Sequence, residues 1–254
     1  FKISKDPSVN LATLFPNYDF LVDPASMLII KTRIVIVVRS NGKTYGTKDP
    51  KFGYDIRGNI APADYGKLGE ISLSRNDGED AGDYIIEVSI DGVPYQDMPS
   101  KVEDCELPYC KSTDDYNIYV VRGTFVIQPA AATLVVDDVS KTYGDATPEY
   151  TYKVSGLVGG DVLNDVTLAC AKCSSTGLEN VGEYAISASV NTVSNPNYKV
   201  TTTNGTLTVE PKDATVTLVK AEKVYGDQDP VFEYSVDGIV GNQSLKGAKI
   251  TRDE

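Results

Sequence analysis

The 254-residue sequence contains no histidine and no tryptophan. Without histidine, Ser-His-Asp and Cys-His catalysis are excluded, and so is every metal site built on imidazole. Long hydrophobic runs are missing as well. The longest, SMLII and IVIVV, fall far short of the ~18 apolar residues that a membrane-spanning helix requires. Basic residues are in deficit, since 24 Lys and Arg face 36 Asp and Glu, giving a formal charge of −12. Nucleic acid and anionic membrane surfaces both require a basic face, so neither is an expected partner. No phosphate loop, nucleophile elbow or paired-acid signature occurs, and an enzyme is not the expected class. No secretory signal is visible, so the chain reads as a mature protein or a fragment.

What is present favours strands. Tyrosine is used 16 times, and with abundant Val, Thr and Ile it suits pleated, half-buried surfaces. No segment of ten or more residues carries a convincing helical period.

A phrase recurs three times: KTYGTKDPKFGY from Lys43, KTYGDATPEY from Lys141 and KVYGDQDPVFEY from Lys223. With Tyr45, Tyr143 and Tyr225 as anchors, glycine follows each, at Gly46, Gly144 and Gly226. Proline stands five residues on, at Pro50, Pro148 and Pro230, and an aromatic nine on, at Tyr54, Tyr152 and Tyr234. Such fixed offsets mark a tandem repeat. Later landmarks agree: AGDYII around Tyr84 matches VGEYAI around Tyr184, and NPNYKV at Tyr198 matches FPNYDF at Tyr18 and, more loosely, DDYNIY at Tyr116. The first complete unit carries an insertion between Tyr84 and Tyr116 that includes DCELPYC. An insertion at a loop tip costs little closure entropy.

These landmarks predict residues 1–32 as the second half of a repeat, 33–129 and 130–211 as complete repeats, and 212–254 as a first half. The fold class expected is all-β, an elongated array of small modules with about six strands each, either immunoglobulin-like sandwiches or β-grasp-like sheets. In the clearest unit, ATLVVDDV, YTYKVSG, DVTLACA and EYAISASV read as strands. YKVTTTNGTLTVE reads as a hairpin turning at Asn204-Gly205 through positive φ. The repeated phrase has a structural reading: glycine supplies a conformation closed to residues with a Cβ, and proline ends the excursion. The tyrosines nine residues on then open the next strand as core rings with a hydroxyl reaching the edge. A ligand-binding role for the phrase is the alternative. The half-units at the two ends suggest a window on a longer array or subunits that complete one another head to tail through an open sheet edge.

The four cysteines form two close pairs, Cys105 with Cys110 and Cys170 with Cys173. Local disulfides are the favoured reading because each pair lies in a different repeat, and they would imply an oxidising compartment and export. A four-thiolate zinc site and four reduced thiols are the alternatives. Cys170-x-x-Cys173 follows a strand, without the helix N-terminus that a redox motif uses to lower a thiol pKa, so a staple is expected there. The run NDGEDAGD crowds Asp77, Glu79, Asp80 and Asp83 into a turn. Such oxygen donors are of a kind that could hold Ca²⁺. Their order does not fit an EF-hand loop, and the equivalent TGLENVGE keeps only Glu179 and Glu183. A solvated turn is therefore expected, with no cofactor required.

SKTYGDATPEYTYKVSGLVGGD together with ENVGEYAISASV and SNPNYKVTTTNGTLTVEP resembles the MBG/YDG type of repeat of large bacterial surface proteins. The resemblance covers the whole chain, most closely 130–212, and departs from the family in its cysteines and the insertion near Cys105. It implies a β-rich, non-catalytic stalk or adhesive module at the cell surface, with neighbouring repeats or copies of the chain as partners. A surface receptor or glycan, bound by the loops and insertion of the first complete repeat, is the competing expectation.

Overall fold

The computed structural model describes residues 30–99, 105–174 and 176–251. In chain order the first strands are β1 (Thr32–Val38), β2 (Asn41–Thr44) and β3 (Tyr54–Arg57). A 3-10 turn over Pro62–Leu68 precedes β4 (Ile71–Arg75), β5 (Gly82–Ile90) and β6 (Val93–Tyr95). Next come β7 (Cys110–Ser112), β8 (Tyr116–Val121) and β9 (Gly123–Gln128). The second repeat holds β10 (Ala130–Val136), β11 (Val139–Thr142), β12 (Tyr152–Ser155), β13 (Val166–Ala169), β14 (Gly182–Val190), β15 (Tyr198–Thr203) and β16 (Gly205–Glu210). The last two are β17 (Thr215–Leu218) and β18 (Tyr234–Asp237). The protein is thus all-β, as its composition predicts. Among the described residues no helix is long and apolar enough to cross a membrane.

By contacts the chain forms two compact units, the first comprising 1–41, 50–77 and 83–125 and the second 42–49, 78–82 and 126–254. In the first, β1 is flanked on both sides. It pairs antiparallel with β3 (Val35 opposite Arg57) and parallel with β8 (Thr32 opposite Tyr116). The alternation in TRIVIVV turns Ile34, Ile36 and Val38 inward, where they are buried. β5 lies between β4 and β6, and contributes Ile86, Val88 and Ile90 to the buried set.

The second unit repeats this plan and shows its logic more fully. One sheet has the order β12-β10-β15 and the other β11-β16-β14-β13. Leu134, Val136, Ile186, Leu207 and Val209 form the core, none more than 3% exposed. Burying a side chain of this kind is worth about 1.5–3 kcal/mol. β10 and β11 are successive stretches of one path that leaves the first sheet at Asp137 and enters the second. β15 and β16 run beside it, parallel, and change sheets at the same level. The register is unbroken by the crossing: Ala130 faces Tyr198 and Thr142 faces Glu210, 68 positions apart in each case (198 − 130 and 210 − 142).

This overturns the expected hairpin. β15 pairs with β10, and β16 with β11 and β14, so Asn204-Gly205 is a corner between sheets rather than a reversal. Gly205 is not needed for positive φ. It is needed for space, because a Cβ there would lie 2.5 Å from the Asp137 carbonyl oxygen. Thr206 N–H then donates to Asp138 Oδ1 at 2.8 Å, tying the two crossing strands together. The same corner explains why the unit has seven strands and not six: β11 is too short and polar to announce itself.

The expected core tyrosines also require correction. Tyr152 and Tyr234 begin β12 and β18 as foreseen, but are 38% and 37% exposed. Each opens a short strand, and Tyr152 is not among the aromatics packed on the Leu134 cluster. The core aromatics are two residues earlier. Tyr150 packs on the Leu134 cluster, and Phe52 meets Phe125 edge-on with centroids 5.6 Å apart. Phe232 is their counterpart, seven residues after Tyr225. In the third repeat, β17 pairs with β18, and among the described residues with no other strand. Its four residues are all exposed.

Replacing Gly205 by Ala should lower stability by about 1–3 kcal/mol, the usual cost of forcing an atom into occupied space, whereas Thr206→Ser should change little. Urea midpoints of the variants measure this. Equal midpoints would show that the corner has room for a Cβ.

A tyrosine–glycine joint as the candidate functional site

The lysine that opens each repeated phrase shapes the loop behind it. Lys141 is buried, its side chain 3% exposed, and its Nζ lies 2.6 Å from Glu179 Oε2, whose side chain is 1% exposed. The ammonium also donates to the Gly177 carbonyl at 2.6 Å and to Thr147 Oγ1 at 3.0 Å. Glu179 Oε1 accepts from Ser174 N–H, while Oε2 is balanced by the ammonium as an ion pair rather than by a well-aligned hydrogen bond. Buried charge needs such company, and an unpaired one would be costly. The Lys141 ammonium against it holds the Glu179 carboxyl below its ordinary range. Lys43 does the same work with Asp49, at 2.7 Å, and Glu79. Burial opposes its charge, but the hydrogen bonds to those two carboxylates outweigh that and raise its pKa. Lys223 pairs with Asp229 at 2.6 Å. The lysine therefore draws each loop closed, and the following tyrosine and glycine project from it.

What they project onto is the next repeat. Tyr45 Oη donates to Asp161 Oδ2 at 2.9 Å, and Tyr198 Oη donates to the same oxygen at 2.5 Å. Tyr198 Oη in turn accepts from Val158 N–H at 2.9 Å. The two tyrosine rings meet edge to face, 5.5 Å apart at 78°. Beneath them Ala130, Ala132 and Tyr198 form a small buried cluster against which Tyr45, Leu157 and Val158 pack. Gly46, at φ +78°, lies against Val158, and a side chain there would collide with the valine methyls. The contact has a second point of attachment. Ala81 N–H donates to Asn197 Oδ1 at 2.6 Å, and Asn197 Nδ2 donates to Asp80 Oδ1 at 2.8 Å. This is why residues 42–49 and 78–82 of the first repeat belong by contacts to the second unit. Hydrogen bonds from Tyr198 and Tyr45 hold the Asp161 carboxyl below its usual range, and the bond to Asp161 raises the Tyr45 phenol.

The arrangement occurs again one repeat on. Tyr143 Oη accepts from Gln243 Nε2 at 2.6 Å, and Gly144, at φ +88°, lies against Val240. Val240 and Gln243 stand in DGIVGNQ where Val158 and Asp161 stand in SGLVGGD. Tyr225 is fully exposed, and among the described residues nothing packs closely on Gly226.

The other foreseen residues fall elsewhere. Cys105 is bonded to Cys110 with Cα atoms 5.0 Å apart, and Cys170 to Cys173 at 5.3 Å. Of the acidic run, Glu79 is taken by Lys43 and Asp80 by Asn197, while Asp77 and Asp83 lie on the flanks of that turn. Among the described residues no group of three or more Cys, Asp and Glu side chains is gathered to hold a metal ion. Pro50, Pro148 and Pro230 each end the loop ahead of the next strand. Asp161, Asn197 and Val158 were missed by sequence reasoning. The signal was present in the recurring Gly-(Leu/Ile)-Val-Gly run, but a glycine-rich turn does not disclose what packs on it.

Fold and joint together define a class: tandem all-β modules coupled by a tyrosine loop of one repeat seated on a glycine-rich loop of the next. The chain belongs to the MBG domain family, YGX type, whose model matches residues 34–91, 132–208 and 214–253. None of the curated proteins compared with the chain matches it.

Two outcomes follow from this geometry. Glu179→Gln should cost about 3 kcal/mol, the low end for breaking a buried pair, since the module is only two sheets thick and solvent is near. Because the folded carboxyl is depressed, its contribution is complete above the ordinary glutamate value of 4.5 and is lost as pH falls through the lower folded value. Urea midpoints of wild type and variant should therefore differ at pH 7 and draw together as pH falls below 4.5, and a gap unchanged by acid would contradict the assignment. At the joint, Tyr45→Phe and Asp161→Ala should each speed tryptic cleavage after Lys43 and Lys48. The double variant should be no more sensitive than Asp161→Ala alone, and additive effects would mean that the two residues act separately.

Proposed function

We propose that the chain is an extracellular structural module, a stalk or filament segment of a bacterial surface protein, and that it performs no catalysis. The observation that carries this reading is the repeated joint: the one motif restated through the sequence is used, at two successive boundaries, to fasten one repeat to the next. The modules so joined are residues 33–129 and 130–211, with half-modules at 1–32 and 212–254. Most of 1–32 lies outside the described residues. The two stapled loops fit an oxidising compartment, where disulfides persist, and membership of a repeat family supports a scaffold role.

A second reading has an observation of its own. The loop closed by Cys105–Cys110 presents Leu107 and Tyr109, 61% and 40% exposed, on a rigid support. Apolar and aromatic side chains at a stapled tip suit a glycan or surface-receptor contact.

Protein isolated from its native host without reductant should gain the mass of four hydrogens on reduction, with peptide maps showing the two local bridges, and should give no saturable signal on a glycan array. Four free thiols in that preparation would remove the case for export. Saturable glycan binding lost with Leu107→Ser and Tyr109→Ser would replace the structural reading with the second one.

A further inference from the structure

The two complete repeats treat one sheet edge differently. β8 and β15 are counterparts, with Tyr116 and Tyr198 as matching landmarks, and each lies parallel beside the opening strand of its repeat. In the first repeat the far side of β8 is covered. β7 pairs with it antiparallel, Cys110 opposite Tyr119 and Ser112 opposite Asn117, and Met98 N–H donates to the Val120 carbonyl at 3.0 Å. Both covering elements come from the insertion between Tyr84 and Tyr116. The second repeat lacks that insertion. β15 ends its sheet, and among the described residues no strand lies beyond it. Side chains record the difference. Ile118 and Val120 are fully buried and Tyr119 is nearly so, whereas the matching Val200 is half-buried and Thr201 and Thr202 are exposed. A hollow of about 240 Å³ adjoins this edge, lined among others by Ala188, Val190, Tyr198, Val200 and Thr202.

We propose that the open edge of β15 pairs antiparallel with the same edge of a second copy, joining two chains through one continuous sheet. The main-chain groups that β8 turns outward include the carbonyls of Tyr116 and Val120, which accept from Thr113 N–H at 2.8 Å and from Met98 N–H. Alternation along a strand makes the outward groups of β15 those of Tyr198, Val200 and Thr202. A twofold axis at Thr201 sets Val200 of one copy opposite Thr202 of the other, and opposed residues of this kind exchange both of their N–H···O bonds. The same axis puts Lys199 opposite Thr203, so no like charges meet. Val200, Thr201, Thr202 and Thr203 are all β-branched, which suits packing across strands. The edge carries none of the devices that keep sheets apart, since YKVTTT has no proline, no carboxylate and a single lysine. The other edge of this sheet, β12, is only four residues long and has Lys153 tied to Asp137 at 2.7 Å. A strand rich in charge would find only Lys199 to meet it, whereas a second β15 matches the edge in both hydrogen bonding and charge. The formal charge of −12 makes copies repel at a distance, so association strengthens with salt. The contact joins identical surfaces and closes at two copies. It does not depend on how one repeat is fastened to the next.

Thr201→Cys in the full chain, oxidised gently and run without reductant, tests the register. Opposed residues of a non-hydrogen-bonded pair lie about 4.5 Å apart at Cα, within the reach of a disulfide. Thr133→Cys is the control, because Thr133 is the exposed neighbour of Thr201 on β10, away from the edge. A crosslinked dimer is expected from the first variant and not from the second, and equal yields overturn the edge contact. By sedimentation equilibrium the wild-type mass should rise toward a dimer with concentration and with salt. Thr201→Lys sets two ammonium groups on the axis and should weaken association by about tenfold or more at an unchanged unfolding midpoint. Mass that rises equally in wild type and Thr201→Lys overturns β15 as the surface. So does wild-type protein that stays monomeric at high concentration and raised salt. Amide exchange distinguishes a covered edge: Val200 and Thr202 should gain protection only as dimer forms, and full protection in dilute monomer would show the edge already occupied within the chain, against the proposal.

Discussion

The buried ammonium of Lys141 and its counterpart at Lys43 are the points on which the architecture turns. A two-sheet module of this size has little interior to spend, yet it places a full charge there. The return is a loop held in one shape: carbonyl and carboxylate oxygens gathered on the lysine fix where the following tyrosine and glycine stand. With the loop fixed, Tyr45 can reach Asp161 and Gly46 can lie against Val158 without further ordering at the moment of contact. The conformational entropy of the joint has been met within the repeat that offers it.

That sequence of dependence accounts for why the phrase begins with lysine, continues with tyrosine and glycine, and ends with proline. Each residue serves a different step. Lysine closes the loop, tyrosine carries the hydrogen bond and ring contact outward, glycine permits close approach, and proline releases the chain into the next strand. Substitution of Asp161 by Gln243 at the second boundary keeps a polar partner for the tyrosine while changing which group donates. The joint tolerates this because a phenol both donates and accepts.

Much of the fold was legible. Alternation in ATLVVDDV and TRIVIVV announces strands that hide one face, and the fixed landmark spacing announces repeats. The parallel pairing was not legible. Asn204-Gly205 is a strong hairpin signal locally, and only the facing backbone at Asp137 shows that its glycine is there for space. The core aromatic proved to be Tyr150 and not Tyr152, since two tyrosines of equal apolar character two positions apart cannot be told apart by composition or spacing. At the joint, half of the site could be read and half could not. The projecting tyrosine and glycine stood out by repetition, whereas Asp161 and Asn197 gain their meaning from a neighbouring repeat that sequence spacing does not orient.

The central claim is that the loop of one repeat is a working part of the next. Amide hydrogen exchange in wild type and Gly46→Val tests it most directly, because the substitution lies in the first repeat and the readout in the second. The account predicts faster exchange at Val158, whose N–H is held by Tyr198, and at neighbouring amides of 157–161, with the Leu134 and Leu207 strands unchanged. A change confined to residues 43–49, with Val158 exchanging as in wild type, would contradict it.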